Sequence, residues 1–138
     1  MRIFLDTNIL LDIVEQRQPH YADSFAVLER CEAQAHEVFM AWHTLSNAFY
    51  IYCKKVGKAA AEQAPHDALQ VITIAAVNHT HALRAFTLCF TDLEDAMQAV
   101  AAEACAADYI VTRNDADFAS SPIPVLTPAQ FTALHPAN

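Results

Sequence analysis

Acidic side chains stand where three segments of this sequence begin or end. Asp6 directly follows the apolar residues 3–5, Asp95 lies near the start of an alanine-rich helical segment, and Asp117 comes shortly after the strand-like residues 109–112. Carboxylates that lie close together repel each other, and their pKa values rise unless a cation lies between them. Oxygen ligands favour Mg²⁺ or Mn²⁺, which activate a bound water and neutralise a leaving oxygen. If these acids meet, the pattern predicts metal-dependent hydrolysis of phosphodiester bonds.

Each acid also has a purely structural explanation. Asp6 could cap the helix that follows it, and Asp95 could complement a helix dipole beside Asp92 and Glu94. The acids in residues 115–117 could belong to Asx turns. Three acids within the four residues 92–95 exceed what helix capping requires. Their joint placement favours a site.

Short apolar segments alternate with segments of helical spacing along the chain. The expected strands are residues 3–5, 38–40, 71–74, 109–112 and 125–126. Helical spacing connects them, with one helix expected just after Pro65 and another opening on a capping box formed by Thr91 and Glu94. This alternation predicts an α/β fold in which a parallel sheet is covered on both faces. Functional residues are then expected at the carboxyl ends of the strands.

Composition narrows the class of protein. A chain of 138 residues with 54% hydrophobic residues predicts a single domain spanning residues 1–138. The only glycine, Gly57, excludes glycine-rich loops that cradle nucleotide phosphates. No apolar run suits a membrane span, and Asp6 comes too early for a signal peptide, so we expect a cytoplasmic protein without membrane contact. The net charge of −8 disfavours a broad nucleic-acid-binding face, although a cation would reverse the charge of an acidic pocket.

The cysteines and histidines do not suggest zinc or redox chemistry. The four cysteines are widely spaced in apolar segments and are expected to be free, buried and reduced: Cys31, Cys53, Cys89 and Cys105. The closest histidine pair, His79 and His81, has no partners at the spacing of zinc ligands. A zinc site is therefore not expected.

Three motifs carry a resemblance to a known family. They are the segment FLDTNIL at residues 4–10, the pair Asp95-Ala96, and ADYIVTRN at residues 107–114 followed by Asp117-Phe118. In this order they resemble the PIN-domain family, in particular the VapC-type toxins of bacterial toxin–antitoxin pairs, as does the ending IPVLTP at residues 123–128. The resemblance implies a three-layer α/β/α fold and an endoribonuclease activity that requires Mg²⁺ or Mn²⁺.

The resemblance also implies the functional residues. It assigns the metal ligands to Asp6, Asp95 and Asp117, and it adds Asn114 to the catalytic set. Substrate contacts are implied at four further residues: Thr7, Asn8, Thr112 and Arg113. PIN nucleases usually carry a glutamate on the helix after the second strand, and this sequence has Asn47 there, which we expect to take its place in the catalytic set. An amide oxygen still binds a hard cation but adds no charge, so lower metal affinity is expected.

Two other functions compete with cleavage of RNA by a toxin. A catalytically weak PIN domain that binds RNA or a protein without cutting is favoured by Asn47 and by the acidic net charge. A phosphatase with an aspartate nucleophile is disfavoured, because that chemistry usually needs a second aspartate where Asn8 stands. A VapC-type toxin would have a small cognate antitoxin and RNA as partners, and the family commonly forms homodimers.

Overall fold

The fold is organised around a five-stranded parallel sheet. The computed structural model describes residues 1–136, so the last two residues of the predicted 1–138 domain lie outside the described residues. The strands are β1 (Arg2–Leu5), β2 (Glu37–Met40), β3 (Thr73–Ile74), β4 (Tyr109–Val111) and β5 (Val125–Leu126), in the order β3-β2-β1-β4-β5. Every pair is parallel. The central strand β1 therefore lies between β2 and β4, where both of its faces can be buried.

Helices cover both faces of this sheet. They are α1 (Thr7–Val14), α2 (Tyr21–Ala33), α3 (Trp42–Val56), α4 (Lys58–Ala68), α5 (His79–Ala85), α6 (Leu93–Ala104) and α7 (Pro128–Leu134). On one face Ile3 and Leu5 join an apolar core with Ile9 and Val27. On the other face Phe4 packs in a second core that includes Ala99. The alternation of side chains along β1 thus separates two cores, and the predicted three-layer α/β/α fold is confirmed.

The central pair of strands sets the position of the site. Leu5 of β1 pairs with Val111 of β4, and the backbone N–H of Asp6 donates to the Val111 carbonyl at 3.0 Å. Asp6 and Thr112, the residues that follow β1 and β4, therefore lie side by side at the end of the sheet. Parallel strands place such residues at the same edge.

The region around Pro65 differs from the sequence-based prediction. A helix was expected to begin after Pro65, but α4 begins at Lys58 and contains Pro65 near its carboxyl end. Gly57, with a φ of 82°, ends α3 and allows the chain to start a new helix at once. The strand expected at residues 71–74 is shortened to Thr73–Ile74. The backbone N–H groups of residues 69–72 bond to carbonyls of the last turn of α4 instead.

The expectation that the four cysteines are free and buried is met only in part. All four cysteines are free, and Cys31 and Cys105 are buried as expected. Cys53 is only half-buried, and Cys89 is exposed because it lies in the irregular segment between α5 and α6. Among residues 1–136, none of the helices has the length and apolar character needed to cross a membrane.

Candidate active site

The side chain of Asp6 is tightly held at the carboxyl edge of the sheet. It is only 4% exposed. Its Oδ1 accepts the backbone N–H of Thr7 at 2.6 Å, and its Oδ2 accepts the Asn8 amide at 2.8 Å and the Thr112 hydroxyl at 2.7 Å. Asp6 therefore caps α1, as its structural explanation predicted, and its carboxylate is also fixed in one orientation at the sheet edge.

Burial dominates the electrostatics of Asp6. It raises the pKa of this carboxyl to about 6, against the hydrogen bond from Thr112, and the negative charge of Glu94 raises it further. A carboxylate that the fold holds in place yet disfavours in its charged form is suited to a cation.

Thr112 and Asn8 form the support under Asp6. The Thr112 hydroxyl donates to Asp6 and accepts from the Asn8 amide at 3.1 Å and from the backbone N–H of Asn114 at 3.0 Å. The side-chain oxygen Oδ1 of Asn8 accepts the backbone N–H of Arg113 at 3.3 Å. Thr112 is completely buried, which leaves its side chain no surface for a substrate. The loop after β4 is thereby fastened to the start of α1.

Asp95 faces Asp6 from the first turn of α6. Both side chains line one open cavity of about 320 Å³, together with Thr7, Asn8, Asn47 and Asn114. Burial and the negative charges of Glu94, Asp6, Asp92 and Asp117 raise the pKa of Asp95 to about 7. Of the three predicted metal ligands, Asp95 is thus close enough to feel the charges of both Asp6 and Asp117. Asp117 itself is exposed on a 3₁₀ turn, Asp115–Phe118, outside the lining of this cavity.

The backbone and the side chain of Arg113 contact two different parts of the fold. Its backbone belongs to the support under Asp6, but its Nε lies 2.8 Å from Oδ2 of the fully buried Asp12. The N–H is not aligned with that oxygen, so the contact is an ion pair rather than a hydrogen bond. The side chain lines a neighbouring cavity of about 250 Å³ with His20 and Asp23. This contact could not be predicted from local sequence patterns, because Asp12 and Arg113 are far apart along the chain.

Glu94 is a site residue that the sequence-based prediction did not include. It was expected to complete a capping box with Thr91, but Asp92 caps α6 by accepting the backbone N–H of Glu94 at 2.8 Å. The Glu94 side chain is free of capping and lines the same cavity as Asp6. A glutamate at the second position of a helix is most simply explained by its favourable interaction with the amino end of that helix. Only a contact across the fold, with His43, could have indicated otherwise.

The donor set fits a hard cation. Carboxylate, amide and hydroxyl oxygens line the cavity, which contains no histidine or cysteine. Among residues 1–136, no three His, Cys, Asp or Glu side chains lie close enough together, in their present conformations, to hold one metal ion. Burial is the main cause of the raised pKa values of Asp6 and Asp95, and the negative charge of Glu94 adds to both, so a divalent cation would favour the charged form of each carboxyl.

The raised pKa of Asp95 leads to a testable pH dependence. In an unfolded chain this carboxyl has its ordinary pKa near 3.8, so the folded state holds the proton more tightly. The resulting stabilisation is complete below about pH 4 and is lost as the pH rises through about 7. In EDTA at pH 8, Asp95→Asn should therefore unfold at a higher temperature than the parent, by roughly 3–5 °C. This shift corresponds to a gain of about 1 kcal/mol in the free energy of unfolding, a value already reduced for solvent screening.

Thermal unfolding at pH 8 and pH 5 measures this effect. The difference between Asp95→Asn and the parent should shrink at the lower pH, where the parent carboxyl is already protonated. An unfolding temperature for Asp95→Asn at or below that of the parent at pH 8 would mean that the folded state does not strain this carboxylate.

The comparisons with known proteins agree with this architecture. The profile of the PIN domain matches residues 2–116, so the chain belongs to the PIN-domain family. Within that family it resembles the VapC-type toxins. It is 25% identical over 137 residues to Ribonuclease VapC1 of Aquifex aeolicus (strain VF5), a match that covers 94% of this chain and 92% of that protein.

Solved structures from toxin–antitoxin pairs share the fold. VapBC2 from Rickettsia felis, bound to a DNA fragment from its promoter, matches with a TM-score of 0.73 at 19% identity and covers 92% of this chain and 98% of that one. A toxin–antitoxin complex from Klebsiella pneumoniae matches with a TM-score of 0.70 at 25% identity, covering 91% and 97%. The predicted resemblance is confirmed.

Proposed function

We propose that this protein is an endoribonuclease that uses Mg²⁺ or Mn²⁺ to hydrolyse RNA phosphodiester bonds. The observation that carries the proposal is the buried Asp6, fixed by three hydrogen bonds and facing Asp95 across one open cavity. A carboxylate with a purely structural role would gain from an ion pair, whereas the charge of Glu94 raises the pKa of Asp6 by more than His43 lowers it. A relative named as a ribonuclease supports RNA as the substrate class.

The proposed mechanism assigns the cation to Asp6, Asp95 and Asp117. When bound, the cation supplies an activated water and neutralises charge on the phosphate. Thr112 and Asn8 position Asp6, and Asn114 holds the loop after β4 through its backbone N–H. Asn47 lines the cavity from α3, where its amide oxygen could bind the cation or a water without adding charge.

The substrate would lie along the open mouth of this cavity. Thr7 and Asn8 line it, and they remain the proposed contacts to a phosphate. The buried Thr112 acts through Asp6 instead, and the Arg113 side chain would reach only a phosphate beyond the scissile one. Tyr50 lines the same cavity with 65% of its surface exposed, which suits stacking on an unpaired RNA base.

We further propose that the protein is the toxin of a toxin–antitoxin pair in the cytoplasm and that it forms homodimers. Two matching solved structures come from toxin–antitoxin complexes, which supports a cognate antitoxin as partner. The acidic rim would attract a basic segment of such an antitoxin. A PIN domain that binds RNA or a partner without cutting it remains the second candidate, favoured by Asn47 and the net charge of −8.

A cleavage assay separates these two functions. Protein purified free of any antitoxin should cut a mixed single-stranded RNA in the presence of Mn²⁺ and should leave it intact in EDTA. Binding of the RNA without cleavage under both conditions would support the second candidate instead.

A further inference from the structure

We propose that Glu94 supplies the fourth acidic side chain of this site, in place of the glutamate that PIN nucleases usually carry where this chain has Asn47. The inference rests on the proposed function and deepens it. It concerns which residue completes the charge of the cation site, and the resemblance to the family does not assign that role to Glu94.

The contacts of Glu94 fix its carboxylate at the cavity. Its Oε1 accepts the Gln98 amide at 2.9 Å and lies 3.0 Å from Nε2 of His43. Asp92 takes the role of helix cap, so no backbone group competes for the Glu94 side chain. The carboxylate is therefore held between His43 of α3 and Gln98, which lies one turn further along α6.

Gln98 makes this arrangement rigid. It is fully buried, and its amide also lies 2.7 Å from the Thr7 hydroxyl and 3.3 Å from the Thr44 hydroxyl. The Thr7 and Thr44 hydroxyls are themselves 2.9 Å apart. Through Gln98, Glu94 is connected to the start of α1 and to α3, the two helices that carry the neighbouring site residues.

The position of Glu94 matches the gap that Asn47 leaves. His43 and Asn47 are four residues apart on α3 and so lie on the same side of that helix. Glu94 contacts His43, and Glu94 and Asn47 line the same cavity. An acid from α6 therefore reaches the region that an acid at position 47 of α3 would reach.

Glu94 adds a third carboxylate to this cavity. Its side chain lines the cavity together with those of Asp6 and Asp95, and its Oε1 lies 3.0 Å from Nε2 of His43. The site thus already contains the anionic oxygen that replacement of the family glutamate by Asn47 would remove.

Calorimetric titration with Mn²⁺ tests the inference without any assay of activity. Glu94→Gln should weaken Mn²⁺ binding about tenfold, the scale of losses seen when the surroundings of a metal site are altered. Adding Asn47→Glu to that variant should restore most of the affinity, because the charge returns from the opposite wall. Glu62→Gln, on the exposed face of α4, is the matched control and should bind like the parent.

Two results would overturn the inference. One is Glu94→Gln binding Mn²⁺ as tightly as the parent; the other is a loss of affinity that Asn47→Glu does not restore. Asp6→Asn is titrated alongside to keep this separate from the proposed function. If Asp6→Asn also binds like the parent, the metal site itself is absent, whereas loss in Asp6→Asn alone refutes only the role of Glu94.

Discussion

Asp6→Asn should abolish the RNA cleavage that we propose, with a loss on the order of 100-fold to 1,000-fold for a cation-binding oxygen at the reaction centre. The variant keeps the shape of the side chain, and asparagine still caps α1 well. The loss would come from the missing charge and from an amide that faces the donors Thr112 and Asn8. Initial rates of RNA cleavage in Mn²⁺ measure the effect.

Thr112→Val provides a graded comparison for the same assay. It removes one hydrogen bond to Asp6 but keeps the carboxylate, so the expected loss is about tenfold. Circular dichroism and thermal unfolding would show that both variants are folded. Asp6→Asn cleaving at the parent's rate would remove Asp6 from the mechanism, and a larger loss in Thr112→Val than in Asp6→Asn would reverse the assigned roles.

Asp12→Ala should cause a large loss of stability. Asp12 is completely buried on α1; its Oδ2 accepts the Ser24 hydroxyl of α2 at 2.9 Å and pairs with Arg113 after β4. Removing the carboxylate leaves the partly buried Arg113 guanidinium without its partner and opens a cavity. We expect the free energy of unfolding to fall by about 2–3 kcal/mol, because Arg113 retains some solvent contact.

Urea unfolding of the parent and of three variants measures this loss. Asp12→Asn, which keeps the volume but not the charge, should fall between Asp12→Ala and the parent. Glu29→Ala, an exposed change on α2, is the control and should stay within about 0.5 kcal/mol of the parent. A similarly small change in Asp12→Ala would mean that the ion pair contributes nothing to the fold.

Local sequence patterns were enough to predict the parallel sheet and the position of Asp6 at its carboxyl edge. The alternation of strand and helix segments predicts the parallel sheet, and an acid directly after the first strand places Asp6 at its carboxyl edge. The pairing of Leu5 with Val111 then explains why Thr112 reaches Asp6 across a separation of 106 residues. Such pairing follows from the strand order, which the sequence-based prediction did not include.

Features that depend on contacts between distant segments escaped prediction. Glu94 has the spacing of a capping residue, and only its contacts with His43 and Gln98 show that it faces the cavity. The Arg113 side chain is directed away from Asp6 by Asp12, which carries no signature in its own segment. The start of α4 depended on Gly57, whose positive φ permits two helices to follow each other directly.

Calorimetric titration with Mn²⁺ tests the central claim most directly. It compares four proteins at one ionic strength: the parent, Asp6→Asn, Asp95→Asn and Asp117→Asn. We expect the parent to bind the cation and each of the three variants to bind it at least about tenfold more weakly, because each loses one anionic oxygen of a shared site. Equal affinity in all four proteins would contradict the proposed site, since the acids would then not hold a common cation.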